Sequence, residues 1–255
     1  MRKIVQLAIV ALSAFGQTSE PSFEVASVKL NTSGIRGWSV APPKNGKYSA
    51  TNVTLHMVIA QAYRVHEFQV VGGPGWIDSE YYDIVAKYAA GADSSKIHLM
   101  LQALLADRFQ LSARRTKKEM PVYALTLARS GSKLKPARDP DCSASPVSPI
   151  CGGFQIRQRS RVTGESVSMQ QFCDVLGGLL SQPVLDETGI QGVVDLHTEW
   201  SPDGVSTISE AGQSVAMEGA SIYAALQEQL GLKLTARKDL ADQIVIDRVE
   251  RPSGN

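Results

Sequence analysis

Tyr48-Ser-Ala-Thr-Asn-Val53-Thr-Leu55-His-Met57 and Val162-Thr-Gly-Glu-Ser-Val167-Ser-Met169-Gln-Gln171 are the stretches on which the fold turns. Each reads as the end of a strand, then a hydroxyl residue suited to an N-cap (Thr54, Ser168), then an apolar run of helical period. Leu55, Val58, Ile59, Ala62 and Tyr63 fall on one helical stripe, as do Met169, Phe172, Leu176, Leu179 and Leu180. The likeness extends outward in constant order. Tyr82-Asp83-Ile84 parallels Val194-Asp195-Leu196, and Leu101-Gln102 parallels Leu226-Gln227. Phe109-Gln-Leu111-Ser-Ala113-Arg114 parallels Leu232-Lys-Leu234-Thr-Ala236-Arg237, and Val122-Tyr-Ala-Leu125 parallels Ile244-Val-Ile-Asp247. Matches that keep one order along a chain indicate an internal repeat.

Each repeat continues with a short strand (68–71; 183–186) and an alternating strand (81–87; 193–200). A second helix follows, with Ile97, Met100, Leu101, Leu104 and Leu105 inward in one half and Ile222, Ala225, Leu226 and Leu230 in the other. A pair of alternating strands closes each half: 109–115 with 122–128, and 232–237 with 243–249. The expected fold class is therefore α+β: two repeated units, each a small, mostly antiparallel sheet with two helices. An opening strand at 23–29 has its counterpart at 153–158. Between the halves lies a Ser-, Pro-, Lys- and Asp-rich stretch read as a linker. The resulting division is a leader at 1–16, a first unit at 17–130, the linker at 131–152 and a second unit at 153–255. A long irregular stretch, 201–219, interrupts the second unit.

The chain has 255 residues, and its 26 Lys and Arg balance 25 Asp and Glu. That balance gives no reason to expect nucleic acid as a partner. The basic run Arg114, Arg115, Lys117, Lys118 reads as a solvated strand end. Arg2 and Lys3 precede an uncharged apolar run at 4–15, and Ala14 and Gly16 offer small residues for cleavage. This is the pattern of a secretory signal peptide, too short to span a bilayer. A secreted or periplasmic mature chain beginning near Gln17 is expected, with no lipid anchor and no transmembrane segment. Cys142 and Cys151 are expected to bridge across the Pro/Ser segment between them, as export permits. Cys173 reads as a small buried hydrophobe, and other pairings of the three cysteines stay open.

Sequence signatures of catalysis are sparse. There is no Gly-x-Ser-x-Gly, His-Glu-x-x-His, P-loop or Gly-x-Gly-x-x-Gly. His197-Thr198-Glu199 lacks the cysteine partner motif of a zinc deaminase. His56, His66, His98 and His197 are not at metal-ligand spacings, and no metal or cofactor is expected; His56 reads as solvated. Asp78, Glu80 and Asp83 precede one strand and Asp186 and Glu187 another, positions where carboxylates cap or solvate. The most distinctive run is Val71-Gly72-Gly73-Pro74-Gly75-Trp76-Ile77, a turn needing positive φ with Trp76 over a sheet edge. Gly72, Gly73, Pro74, Gly75 and Trp76, with Tyr81 and the turn at 188–192, form the expected contact surface for an envelope protein or a small molecule. The rival readings are a secreted hydrolase using carboxylates and His66 across the two units, and a structural protein joined edge to edge.

The runs Ala50-Thr-Asn-Val-Thr-Leu55, Gly72-Gly-Pro-Gly-Trp-Ile-Asp78, Tyr82-Asp-Ile84, Met100-Leu-Gln-Ala-Leu-Leu-Ala-Asp-Arg-Phe109 and Leu226-Gln-Glu-Gln-Leu-Gly-Leu232 resemble an exported family. It is the domain-of-unknown-function family expanded in soil Acidobacteria, the Solibacter family, and the resemblance covers residues 23–252. It brings no catalytic residues with it. Some members are similar to segments attached outside the membrane to sensor metallopeptidases of the beta-lactam-receptor class, which implies sensing or binding. The cap, helix and strand unit also resembles the short N-terminal domain of secretins and TonB-dependent receptors.

Overall fold

The computed structural model describes residues 21–89, 93–144, 148–201, 207–208, 214–215 and 220–252. The leader at 1–16 and most of the irregular stretch at 201–219 lie outside the described residues. The chain opens with strands β1 (Val25–Leu30), β2 (Ser39–Lys44) and β3 (Lys47–Thr54), the last two joined through Asn45 and Gly46. Both turn residues have positive φ, the twist that lets two strands reverse through two residues. Helix α1 (Leu55–Tyr63) starts because Thr54 Oγ1 accepts the Met57 N–H at 3.2 Å, and it stops where Arg64 turns left-handed. Then come β4 (Val70–Gly72), the single turn α2 (Trp76–Ser79), β5 (Tyr81–Lys87), α3 (Ile97–Phe109) and β6 (Ser112–Leu127).

A second series of elements follows. It runs β7 (Lys135–Pro136), β8 (Gly153–Arg157), β9 (Arg161–Val167), α4 (Met169–Leu180), β10 (Val184–Asp186) and β11 (Val194–Glu199). Strands β12 (Thr207–Ile208) and β13 (Ser214–Val215) pair with each other. Helix α5 (Ile222–Ala225) continues as a wider π turn over Leu226–Leu230, and β14 (Leu232–Arg248) closes the chain. Ser168 caps α4 through the Gln171 N–H, as Thr54 caps α1. Among the described residues, no helix is long and apolar enough to cross a membrane.

The class is α+β, but three four-stranded sheets form where two were expected, alongside the small β12–β13 pair. The first is ordered β1-β5-β3-β2 and the second β7-β11-β9-β8, both antiparallel. The third, β10-β6-β14-β4, arises because the anticipated closing hairpins do not form. No Gly or Asn reverses the chain between Arg115 and Val122, so β6 runs straight through. It pairs antiparallel with β14 from Leu127 opposite Leu232 to Ala113 opposite Ile246. Strand β4 joins β14 in parallel, Val70 opposite Ile244, and β10 joins β6, Val184 opposite Tyr123. The halves thereby trade core residues. Ile244 and Ile246 of β14 are buried with Ile59, Ile84, Leu105 and Phe109, while Leu125 of β6 is buried with Phe172, Leu176 and Leu226.

The stretch assigned to a linker is partly a strand, since β7 pairs with β11 as β1 pairs with β5. Strand β8 lies on β9 (Gly153 opposite Glu165) as β2 lies on β3 (Ser39 opposite Thr51). The positional counterpart of β1 is therefore β7, and not 153–158. The Cys142–Cys151 disulfide is formed, and Cys173 is a buried free thiol.

Candidate functional site

The glycine turn is shaped by packing. Gly72 has φ +85°, and a Cβ there would lie 3.1 Å from the Ile246 carbonyl oxygen. At Gly73 (φ +81°) a Cβ would lie 3.0 Å from Ile77 Cδ1, so both positions let β4 approach β14 closely. Pro74 and Gly75 lead into α2, whose first residue, Trp76, is half-buried. The Arg251 guanidinium sits 5.1 Å from the Trp76 ring centroid, a cation–π contact. The same guanidinium grips Glu80 (Nε to Oε1 2.9 Å, Nη2 to Oε1 2.7 Å), and Tyr82 Oη donates to Glu80 Oε2 at 2.9 Å. Arg251 holds the Glu80 carboxyl below its usual range. Trp76 and Glu80 thus fasten the C-terminal segment. Tyr81, assigned to the same surface, is 42% exposed and lines a cavity whose lining does not include Trp76. In the turn at 188–192, Thr188 is buried and its Oγ1 donates to Asp186 Oδ1 at 2.8 Å.

The histidines and carboxylates are engaged. His56 is not solvated as expected: its Nδ1 meets the Asp78 carboxylate and its Nε2 lies 2.9 Å from the Glu67 carbonyl. With both ring nitrogens occupied, His56 is not free to act as a base or a ligand. His66 stacks on Phe68 with ring centroids 5.0 Å apart. Its ring faces α4 so closely that a Cβ on Gly177 would lie 2.6 Å from Nε2. Burial lowers the pKa of His66, and Asp174 opposes that shift. His66 lines a cleft of about 430 Å³ with Cys173, Asp174, Lys117 and Asp242. Asp242 is held there by Arg115 at 2.7 Å and Lys117 at 2.8 Å. Burial pushes the Cys173 thiol up, keeping it protonated and a poor nucleophile. His197 lies on β11 with Nδ1 2.9 Å from Thr163 Oγ1, beside a cavity of about 480 Å³ under the disulfide loop. Among the described residues no three His, Cys, Asp or Glu side chains cluster for a metal.

A surface the sequence reading overlooked is loop 31–38. Strand β3 bulges between Ala50 and Val53, leaving the buried Asn52 at φ +55°. The Asn52 N–H donates to Asp83 Oδ1 at 2.9 Å, and its Nδ2 donates to the carbonyls of Ile35 (2.9 Å) and Gly37 (2.6 Å). Asn31 Nδ2 donates to the same Asp83 oxygen at 2.8 Å, while Asn31 Oδ1 accepts the Ser33 N–H at 2.9 Å. These bonds fix the backbone of a loop whose side chains face outward. Ile35 is 69% and Trp38 61% exposed. With Thr32, Arg36, Asn52 and Tyr81 they line a cavity of about 520 Å³. Among the described residues, the side chains of Thr32, Arg36, Trp38 and Tyr81 have no hydrogen-bond or ion-pair partner. Gly37-Trp38 carries the same glycine-then-tryptophan signal as Gly75-Trp76, and that signal could have found it.

Fold and clefts together define a mixed α+β protein whose cavities are open and whose histidines and carboxylates mostly have partners. The chain belongs to the family described as protein of unknown function (DUF3738), whose model matches residues 56–249. The match begins within α1, so loop 31–38 precedes it. No curated protein and no solved structure matches the chain.

Proposed function

We propose that the protein is a non-catalytic binding module that works outside the cytoplasm, and that its contact surface is loop 31–38 with Tyr81. One observation carries this reading: a loop held by buried hydrogen bonds keeps Trp38, Ile35 and Arg36 exposed and unpartnered. Rigid loops lose little freedom on binding, and Trp, Tyr and Arg are the side chains that concentrate binding energy. Asn52 in the left-handed region supports it further, since non-glycine strain of that kind gathers at functional positions. The hydrolase alternative has less support, because His56 is saturated, Asp242 is paired and Cys173 is protonated. Of the surface expected around the glycine turn, Tyr81 of β5 belongs to this contact surface and Trp76 does not, since Arg251 covers its ring.

We also propose that the architecture is two repeated α+β units, the first at 17–130 and the second starting at β7, sharing the third sheet. Asn52 and Ser166 are both bulge residues with φ near +55° (55° and 53°), and each gives its N–H to an aspartate on the neighbouring strand, Asp83 or Asp195. Export rests on the leader at 1–16. To test the contact surface, a photocrosslinking residue would replace Arg36 in one variant and the exposed Leu240 in another. Exposure to the native envelope fraction should give an adduct at position 36 only, lost when Trp38→Ala is added. Equal adducts at both positions, or an adduct indifferent to Trp38, would refute the assignment.

A further inference from the structure

The groups left free around loop 31–38 all carry a hydrogen-bond donor, and this narrows what the surface can hold. Thr32 offers a hydroxyl, Arg36 a guanidinium, Trp38 an indole N–H and Tyr81 a phenol, alongside two exposed aromatic faces. All four can donate, and no Asp or Glu side chain is among the described residues that line the cavity; Oδ1 of Asp83, behind the loop, accepts from Asn52 and Asn31. A donor-rich cavity with aromatic faces suits a ligand that combines a flat apolar face with many acceptor oxygens.

An extended peptide does not fit well. Peptides that add to a sheet edge need free backbone groups, but the carbonyls of Ile35 and Gly37 are taken by Asn52. The Ser33 N–H is taken by Asn31, and the Asn31 N–H by the Tyr81 carbonyl at 2.7 Å. Beyond the loop, β2 contains Pro42 and Pro43, which have no N–H to give. Single-stranded nucleic acid would stack on the same rings, yet it also needs a basic track, and among the described residues Arg36 is the one cation lining the cavity.

We infer that the cavity formed by loop 31–38 and Tyr81 is a saccharide site, with Trp38 and Tyr81 stacking on sugar rings and Arg36 selecting a sugar that carries a carboxylate. This rests on the contact surface proposed above and adds the ligand class. A cavity of about 520 Å³ takes one or two sugar rings, and its openness to solvent suits a segment within a longer glycan.

The test uses purified protein, an oligogalacturonate and its methyl ester, with binding followed by calorimetry and by tryptophan fluorescence. The two probes share ring and linkage and differ in charge. Saturable binding of the oligogalacturonate is expected, weakened about tenfold or more by Trp38→Ala, the loss of roughly one aromatic stacking contact. Arg36→Gln should weaken the acid toward the level of its ester and leave the ester unchanged. Trp76→Phe should bind as the parent does. Trp38 is on the surface, so its replacement should leave the urea midpoint unchanged, and Tyr81→Ala gives a second, independent reading. Absence of saturable binding to either probe, or binding indifferent to Trp38 and Tyr81, overturns the inference. If neither probe binds but the adduct at position 36 still depends on Trp38, the saccharide assignment fails while the contact surface stands. If that adduct is missing as well, both fail.

Discussion

In the first sheet the bulge residue Asn52 gives its N–H to Asp83, and in the second Ser166 gives its N–H to Asp195. From these anchors hang loop 31–38 and the stretch at 137–152, each joining a strand on one side of the sheet to a strand on the other. The first loop is short, and apart from Asn31 and Ser33 its side chains take no part in the bonds that hold it. The second is longer, and its described part is tied together by bonds among its own residues and to β9. Asp139 accepts the N–H groups of Ser143 and Ala144, its carbonyl accepts Ser166 Oγ, and Cys142 is bonded to Cys151. One anchor therefore serves two ends. Where the anchor alone fixes the loop, the side chains are free to bind. Where the loop is too long for the anchor, its own side chains and a disulfide complete the work.

The comparison breaks hardest at the two aspartates. Asp83→Ala or Asp195→Ala strands a bulge N–H and should cost about 2–4 kcal/mol, because hydrogen bonds to a charged group are the strong ones. Urea denaturation reads this directly. Local consequences should differ: hydrogen exchange at Ser33 and Ile35 should rise sharply in Asp83→Ala, whereas Cys142, Ser143 and Ala144 should stay protected in Asp195→Ala while the disulfide is intact. Equal loss of protection in both loops would mean that the second loop depends on its anchor as fully as the first does, and that the disulfide adds no independent hold. Next comes the disulfide itself. Cys142→Ser with Cys151→Ser reopens a short loop, and loop-closure entropy for a span of this size is worth about 2–3 kcal/mol. Its removal should leave saccharide binding at loop 31–38 untouched.

The cap-and-helix stretches were legible because their causes are local. Thr54 and Ser168 read as caps from sequence and act as caps. The pairing of Asp83 with Asp195 was also visible, though its purpose was not, because the amide each accepts belongs to another strand. The closing strands were misread for a related reason. Whether 109–128 folds back or runs straight is decided by β14, far along the chain, and alternation looks the same in both cases. The two Gly-Trp pairs show the limit most clearly. Near Trp76 the glycines are packed against Ile246 and Ile77, and Arg251 covers the ring; near Trp38 the glycines face open space and the ring is bare. Sequence supplies the pair, and only the fold supplies what covers it.

A finer test separates the two bulge residues. Both hold φ near +55°, where a residue with a Cβ is strained by about 1 kcal/mol and glycine is not. Asn52→Gly relieves that strain but frees two loop carbonyls, for a net cost of about 1–2 kcal/mol. Ser166→Gly relieves the same strain and gives up one hydroxyl bond to Asp139, so its net effect should lie within about 0.5 kcal/mol of zero. Two urea midpoints decide it. A Ser166→Gly variant that unfolds as easily as Asn52→Gly would show that the second loop leans on its bulge after all.

The smallest effect expected lies outside both loops, at His66, and it calibrates the others. Burial lowers the pKa of His66, and Asp174, the charged group identified as acting on it, opposes the shift without reversing it. The unfolded chain therefore takes up this proton at a higher pH than the folded one does. By linkage, the stabilising contribution is complete above the unfolded value of about 6.5 and declines as the pH falls through the folded value. The depressed carboxylates, Glu80 and Asp242 among them, titrate at lower pH and leave the window just below 6.5 to the histidine. Thermal melts from pH 7 to 5 should show a shallow loss of stability in the parent protein that flattens in His66→Gln. The same slope should persist in Asp83→Ala and in Cys142→Ser with Cys151→Ser, because neither loop touches the cleft between Phe68 and Gly177. If the slope instead vanished with either loop variant, the loops and the cleft between the halves would be coupled, and the anchors could no longer be treated as independent local devices.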